Sequence, residues 1–323
     1  MIISHQHLLT LSGIKGFGPK KINTVAEFLR NEEIEQLSDK DLCDVINDMI
    51  GKRILKGVKD FHQHAFMEAA DTAKRILEKT FAHQISMVSR YDESYPTALL
   101  YTNDEYGRES IPPFLFYKGD ISVTNRKSIA IIGTREPSIE GEIASEFFAK
   151  KLAEKGVNIV SGLALGCDTF AHKGALEVHG ITTAILGGGL DKIYPSENAE
   201  LAERIVEERG LVFTEYPVGE ATTTYSLVAR DRLQAALSQA IIVIQTDVNG
   251  GSMHAVKSAF AAHKAILGVV YKKDLHDEHI GGNKLLIQKR IAKPIYCTEE
   301  NISLLISALD AMPPPEGTQL SLF

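Results

Sequence analysis

The stretch "SIAIIGTREPSIEGEIASEFFAKKLAEKGVNIVSG", residues 128–162, decides the fold. It opens on the apolar run "SIAII", turns at Gly133-Thr134-Arg135, continues through a helix-period segment and ends on a second apolar run, "VNIV". A strand apolar on both sides is buried on both faces, and a helix between two such strands is the connection that parallel pairing requires. The alternation continues with "TTAIL" (182–186), "LVFTE" (211–215), "AIIVIQ" (240–245) and "AILGVV" (265–270). Between these lie the helix-period stretches "DTFAHKGALEVHG", "ENAELAERIVEERG", "LVARDRLQAALSQ" and "SMHAVKSAFAAHK". Residues 127–311 are therefore expected to form an α/β domain, a doubly wound Rossmann-like parallel sheet.

Outward from that domain the texture changes. Residues 1–80 read as short amphipathic helices interrupted by glycines, such as "INTVAEFLRN" and "DTAKRILEKT". Residues 81–126 are proline-bearing and less regular, and read as a connecting lobe. After Ala311 the run "MPPPEGTQLSLF" (312–323) favours extended polyproline geometry and reads as a projecting tail. With 323 residues, 44% hydrophobic and 24% charged, the chain has room for two domains and an ample core. Its formal charge of −7 means that any polyanion must be met by a local basic surface. The three cysteines, Cys43, Cys167 and Cys297, have no CxxC spacing, which excludes a disulfide framework and a cysteine-based zinc site. No basic, apolar leader opens the chain, and no run reaches the roughly 18 apolar residues of a membrane span. A cytoplasmic protein without a membrane partner is expected.

In such a sheet ligands sit beyond the carboxyl ends of the strands, where helix amino ends offer unpaired N–H groups to anions. Here those ends carry "IIGTR" (131–135), "SGLALGCD" (161–168), "LGGGLDKIYP" (186–195) and "TDVNGGSMH" (246–254). Gly133, Thr134, Gly162, Gly166, Gly250 and Gly251 are candidates for close approach to phosphate, with Arg135 and Lys173 adding charge and Ser161 and Ser252 hydrogen bonds. The dinucleotide fingerprint G-x-G-x-x-G is absent after the first strand, so no NAD or FAD cofactor is expected.

"IAIIGTREPSIEGE", "VSGLALGCDTFAHKGALEVHGITTAILGGGLDKIYPSENAEL" and "GGNKLLIQKRIAKPI" resemble the DNA-processing protein A (DprA/Smf) family, over about Tyr95 to Ile295. The resemblance implies a Rossmann-like domain that binds single-stranded DNA, loads the recombinase RecA, forms a homodimer and serves natural transformation, with no catalytic turnover. Where the family typically has Phe-Pro-Arg-Arg-Asn-Arg, this chain has "LVARDR" (227–232): Arg230 and Arg232 remain as expected DNA contacts, while Ala229 and Asp231 remove about two units of positive charge. The family's glutamate after the fifth strand is Gln245 and the arginine of the next loop is Asn249, and "VVYKK" replaces the usual Pro-Gly after the sixth strand.

Two further segments carry meanings of their own. "LSGIKGFGPKKINTV" (11–25) resembles a helix-hairpin-helix motif. Gly16 and Gly18 permit a tight hairpin, Pro19 stands where a second helix begins, and Lys20 and Lys21 add cations for a DNA backbone. "QLSLF" resembles the pentapeptide with which bacterial replication and repair proteins dock on the β sliding clamp. Gln319 and Ser321 belong to that motif, and Leu320, Leu322 and Phe323 would fill an apolar groove.

Remaining candidates are weaker. His62 and His64 lie two apart, on different helical faces, so no metal site is expected. Asp168 and His172 share a face, with helix capping the expected role of Asp168. Glu215 ends a strand, with no nucleophile placed beside it. The glycine-rich edges also resemble the wider nucleotide-binding superfamily that includes lysine-decarboxylase-like phosphoribohydrolases. "NGGSMHAVKSAF" has that family's glycine pair but lacks its catalytic glutamate, which leaves nucleotide sensing as the alternative to single-strand binding.

Overall fold

The computed structural model describes residues 3–32, 37–58, 61–272 and 277–312. The expected clamp motif, Gln319 to Phe323, lies outside the described residues. The chain divides into two units, Met1–Tyr95 with Ser110–Phe116, and Pro96–Glu109 with Tyr117–Phe323. Residues from the stretch read as a connecting lobe fall in both.

The first unit is mainly helical: α1 (His5–Ser12), α2 (Pro19–Asn31), α3 (Asp39–Gly51) and α4 (Gln63–Ala82), followed by strand β1 (Ser86–Ser89). Local chemistry sets the helix starts. Ser4 accepts from the His7 N–H, Pro19 occupies the first turn of α2, and Ser38 and Asp41 form a reciprocal capping box on α3. The apolar faces meet in a core of Leu8, Leu11, Val25, Leu29, Leu42, Ile46 and Phe66.

Strand β2 (Phe114–Gly119) carries the chain into the second unit. There follow β3 (Ser128–Ile132), α5 (Ile139–Ala153), β4 (Asn158–Ser161), α6 (Cys167–Glu177), β5 (Thr182–Leu186), α7 (Ala199–Glu207), β6 (Leu211–Thr214), α8 (Thr224–Leu237), β7 (Ala240–Val243), α9 (Ser252–Ala261), β8 (Ala265–Val269), α10 (Asp277–Gln288), β9 (Lys293–Ile295) and α11 (Glu299–Ala311). Strands β3 to β9 pair in parallel in the order β6-β5-β4-β3-β7-β8-β9. The chain winds outward from β3 to β6, then returns to β3's other side and winds the opposite way. Right-handed crossovers consequently put α5 to α7 on one face and α8 to α10 on the other. This is the expected doubly wound fold, and β3 to β7 are buried along their whole lengths.

Helix α5 shows how sequence places these layers. Ser138 caps it by accepting from the Gly141 N–H; Glu140 and Glu142 sit at its positive end, Lys150 and Lys151 at its negative end. Its inner face packs on α6 and on the sheet through Ala144, Phe148 and Leu152. Phe148 is fully buried. Phe148→Ala is expected to lower unfolding stability by about 3–5 kcal/mol in urea denaturation, the usual cost of an aromatic-sized hole.

Candidate functional site

The winding reverses between β3 and β7, and their carboxyl ends open into a cleft of about 630 Å³. Three loops and two helix amino ends form it. Gly133, Thr134 and Arg135 follow β3; Thr222, Thr223 and Thr224 lead into α8; Asp247, Gly250, Gly251 and Ser252 lead into α9. Tyr194 borders it and is half exposed. The α8 start is closed by a capping box between Thr223 and Ser226, whereas α9 has no side-chain cap. The amino end of α9 therefore presents its positive dipole beside the exposed Arg135, with the Gly251 and Ser252 N–H groups ahead of those of Met253 and His254, which donate to the Gly250 and Gly251 carbonyls.

The floor is ionic. Arg230 is 5% exposed and its Nη1 donates to the Ile185 carbonyl at 3.1 Å. Its guanidinium fills the space beside Gly162, where a Cβ would stand 1.4 Å from Nη1. Asp168 lies 3.9 Å from Nη2, and Asp231 Oδ1 lies 3.3 Å from Nε. Asp168 accepts from the N–H groups of Gly162 and Ala164 at 3.1 and 3.3 Å, so it ties down the β4–α6 loop. Burial raises the Asp168 pKa against the pull of Arg230. Asp231 is pushed up to about 7 by burial, with Arg230 opposing, Asp168 reinforcing, and His254 and Arg135 opposing.

The cleft thus gathers Gly133, Thr134, Arg135, Arg230, Gly250, Gly251 and Ser252 of the expected set. Others lie elsewhere. Ser161 is fully buried and donates to the Ile131 carbonyl at 2.6 Å. Lys173 is exposed on α6, its Nζ over the Phe170 ring. Arg232 donates two hydrogen bonds to Glu215, at 2.7 and 2.6 Å, and one to the Ala229 carbonyl. That pairing occupies the strand-end carboxylate Glu215 as well. Most of the candidate glycines are filled from within: the missing Cβ of Gly133 would meet Cys167 Sγ at 2.4 Å, and that of Gly166 the Thr134 and Arg135 carbonyls at 2.5 Å. Only at Gly251, among those expected to admit a phosphate, would a Cβ meet nothing within 4 Å.

Asp168 does not cap α6, whose N-cap is Gly166, nor does it pair with His172. His172 instead hydrogen-bonds Thr182 Oγ1 through Nδ1 at 2.7 Å, and burial lowers its pKa to about 3, so it stays neutral. The Cys167 thiol, pushed up to about 12 by burial, stays protonated. Among the described residues no three His, Cys, Asp or Glu side chains converge to hold a metal ion. Sequence reasoning missed Tyr194, Gln234 and His254, which bonds Glu105 through Nδ1 at 3.1 Å.

In the first unit a short turn over residues 13–18 joins α1 to α2. Gly16 takes φ +93°, and Lys21 Nζ donates to its carbonyl at 2.7 Å, so that lysine closes the turn. Gly18 has ordinary extended backbone and open space where a Cβ would stand. Lys20 is exposed.

A family model described as DNA recombination-mediator protein A matches residues 86–306. Protein Smf of Escherichia coli K12 is 33% identical over 177 residues, which cover 55% of this chain and 46% of that protein. The chain spans about half to two-thirds of the length of such curated relatives. A solved structure of DNA processing protein A from Streptococcus pneumoniae superposes with a TM-score of 0.75 at 27% identity, covering 94% of this chain and 98% of that one. Another from Helicobacter pylori, described for its single-stranded DNA binding mode, gives 0.60 at 28% identity over 70% and 97%.

The raised Asp231 pKa has a consequence for stability. The folded state holds this proton to a higher pH than the unfolded chain, so stability is lost as pH rises from about 4 to about 7. Asp231→Asn removes that loss. Relative to the unsubstituted protein, the variant is expected to gain on the order of 2 kcal/mol between about pH 5 and about pH 8 in paired denaturation curves.

Proposed function

The chain belongs to the DNA recombination-mediator protein A family, and on that premise we propose that it binds single-stranded DNA at the β3–β7 cleft without turning it over. The observation that carries this reading is the pairing of one exposed arginine, Arg135, with the uncapped amino end of α9 at the sheet's switch point. Together they make an anion site, and the open space at Gly251 lets a phosphate oxygen come close to backbone N–H groups. Tyr194 beside the cleft, and Tyr225 at the start of α8, 82% exposed, offer flat faces on which bases stack. The relative from Helicobacter pylori supports the choice of ligand. Absence of turnover is supported by what the polar groups already do: Glu215 holds Arg232, Asp168 holds a loop, and Cys167 keeps its proton.

Around that core we place the helper functions. The hairpin at Gly16 and Gly18, with Lys20, grips a DNA backbone. A bound strand is handed to a recombinase of the RecA type, by a homodimer, in the cytoplasm. Residues Gln319, Leu320, Ser321, Leu322 and Phe323 dock on the β sliding clamp. Burying two leucines and a phenylalanine yields roughly 5–8 kcal/mol before the ordering of the segment is subtracted, a micromolar-scale contact suited to recruitment.

Fluorescence anisotropy with labelled single and double strands across a salt series tests the central claim. Single strands are expected to bind more tightly, and Arg135→Ala to weaken them and lower the salt slope by about 0.7, one phosphate contact. Failure of either strand to bind, with a mononucleotide binding instead, would move the cleft to nucleotide sensing. Deleting residues 319–323 is expected to abolish capture by immobilised clamp and leave the thermal midpoint and strand binding unchanged; a lowered midpoint would mean that the segment staples the chain to itself.

A further inference from the structure

Beside the Arg230 guanidinium, the inner end of the cleft carries two side chains with acceptor oxygens. Asp231 and Gln234 stand one turn apart on α8 and both line it. Gln234 is 2% exposed, and its Nε2 faces Asp231 Oδ1 at 3.4 Å. That orientation leaves Gln234 Oε1 buried without a hydrogen-bond partner. Asp231 Oδ1 accepts from this amide and lies 3.3 Å from Arg230 Nε, and Asp231 itself lines the cleft. A buried acceptor without a donor is costly, so the complementary ligand is one that brings N–H groups to this end. The rim asks for the opposite, an anion at Arg135 and α9. A nucleotide has both ends.

The bases differ in what they offer a carboxylate. Guanine presents N1–H and the 2-amino group side by side, two donors that one carboxylate accepts together. Adenine and cytosine each set an amino donor next to a bare ring nitrogen, which would meet the second carboxylate oxygen lone pair to lone pair. Thymine has one N–H between two carbonyls. Adjacent donors against adjacent acceptors discriminate bases most strongly. We propose that the cleft selects guanine, with Asp231 accepting from N1–H and the 2-amino group and Gln234 supplying the neighbouring acceptor. This rests on the reading of the cleft as a single-strand site. The asparagine that the family typically has at this position carries a donor beside its acceptor, and so lacks the selectivity.

The test compares two labelled strands by anisotropy, oligothymidine and the same strand with guanine spaced along it, and a third with hypoxanthine, which lacks the 2-amino group, in place of guanine. Measurements are made at about pH 8, where the Asp231 carboxyl is ionised. The guanine strand is expected to bind roughly five- to a hundredfold more tightly than oligothymidine, the range of one good bidentate contact, with hypoxanthine intermediate. Asp231→Asn is expected to remove the difference while still binding both strands. Equal binding of the two strands by the unsubstituted protein would overturn the base assignment and leave single-strand binding standing. A guanine preference that survives in Asp231→Asn would overturn the role of Asp231. No binding of any strand would overturn the single-strand reading and the base assignment with it.

Discussion

The second unit depends on the guanidinium of Arg230. It enters from α8, fills the hollow that Gly162 leaves beside β4, and donates to the carbonyl of Ile185 in β5. Through Asp168 it is linked to the loop whose N–H groups that carboxylate holds, and through Asp231 to the cleft above. Two strands, a loop and a helix are thereby keyed to one side chain. Buried charges of this kind are specified in pairs. Removing one partner leaves the others desolvated, typically at a cost of about 3–5 kcal/mol. Gly162 is part of the same device, since any Cβ there would occupy the guanidinium's place.

From that anchor the cleft follows by topology. Winding outward from β3 and returning beside it lets the loops after β3 and β7 diverge beyond Gln245, which ties their bases together by accepting from the Thr134 and Ser138 N–H groups. Gly166 lets the start of α6 lie against the Thr134 and Arg135 carbonyls, which sets the β3 loop, and so places Arg135 at the rim. The opposite wall is set from α9, whose first turn has no side chain to close it. Charge at the rim and acceptors at the floor are thus consequences of which helix ends are capped and which arginine is buried.

Much of this was legible in the sequence because it is periodic. Apolar runs such as "SIAII" and "AIIVIQ" are strands buried on both faces, and they leave one reading. Strand β9 was not legible: three residues with Pro294 in the middle carry no alternation, and an edge position tolerates the missing N–H. The glycine clusters marked the strand ends where the cleft lies without showing their purpose, since sequence does not distinguish a glycine with open space beside it, as at Gly251, from one filled by Cys167 or Arg230. Arginines raise the same ambiguity. Arg135 and Arg232 have equal charge on paper, yet one faces solvent and the other is spent on Glu215, 17 positions away. Burial is decided by partners distant in the chain, and it is burial that turns a phosphate contact into a structural ion pair.

The departures from the family pattern acquire a physical sense in this arrangement. Asp231 puts a carboxylate among the residues that line the cleft, which lowers its attraction for any phosphate chain. Phosphate contacts position a strand, and base contacts choose among strands. On the guanine-selecting reading proposed above, a cleft with one exposed arginine at its rim and the unpartnered Gln234 amide oxygen at its floor relies less on the first kind of contact than on the second. On the same reading, weak, sequence-tolerant holding falls to other surfaces, such as the exposed Lys20 at the hairpin, and the sheet edge discriminates. On that reading the buried carboxylate that costs stability above neutral pH is also the acceptor that selects the base, so the proposed selectivity and the strain share one source.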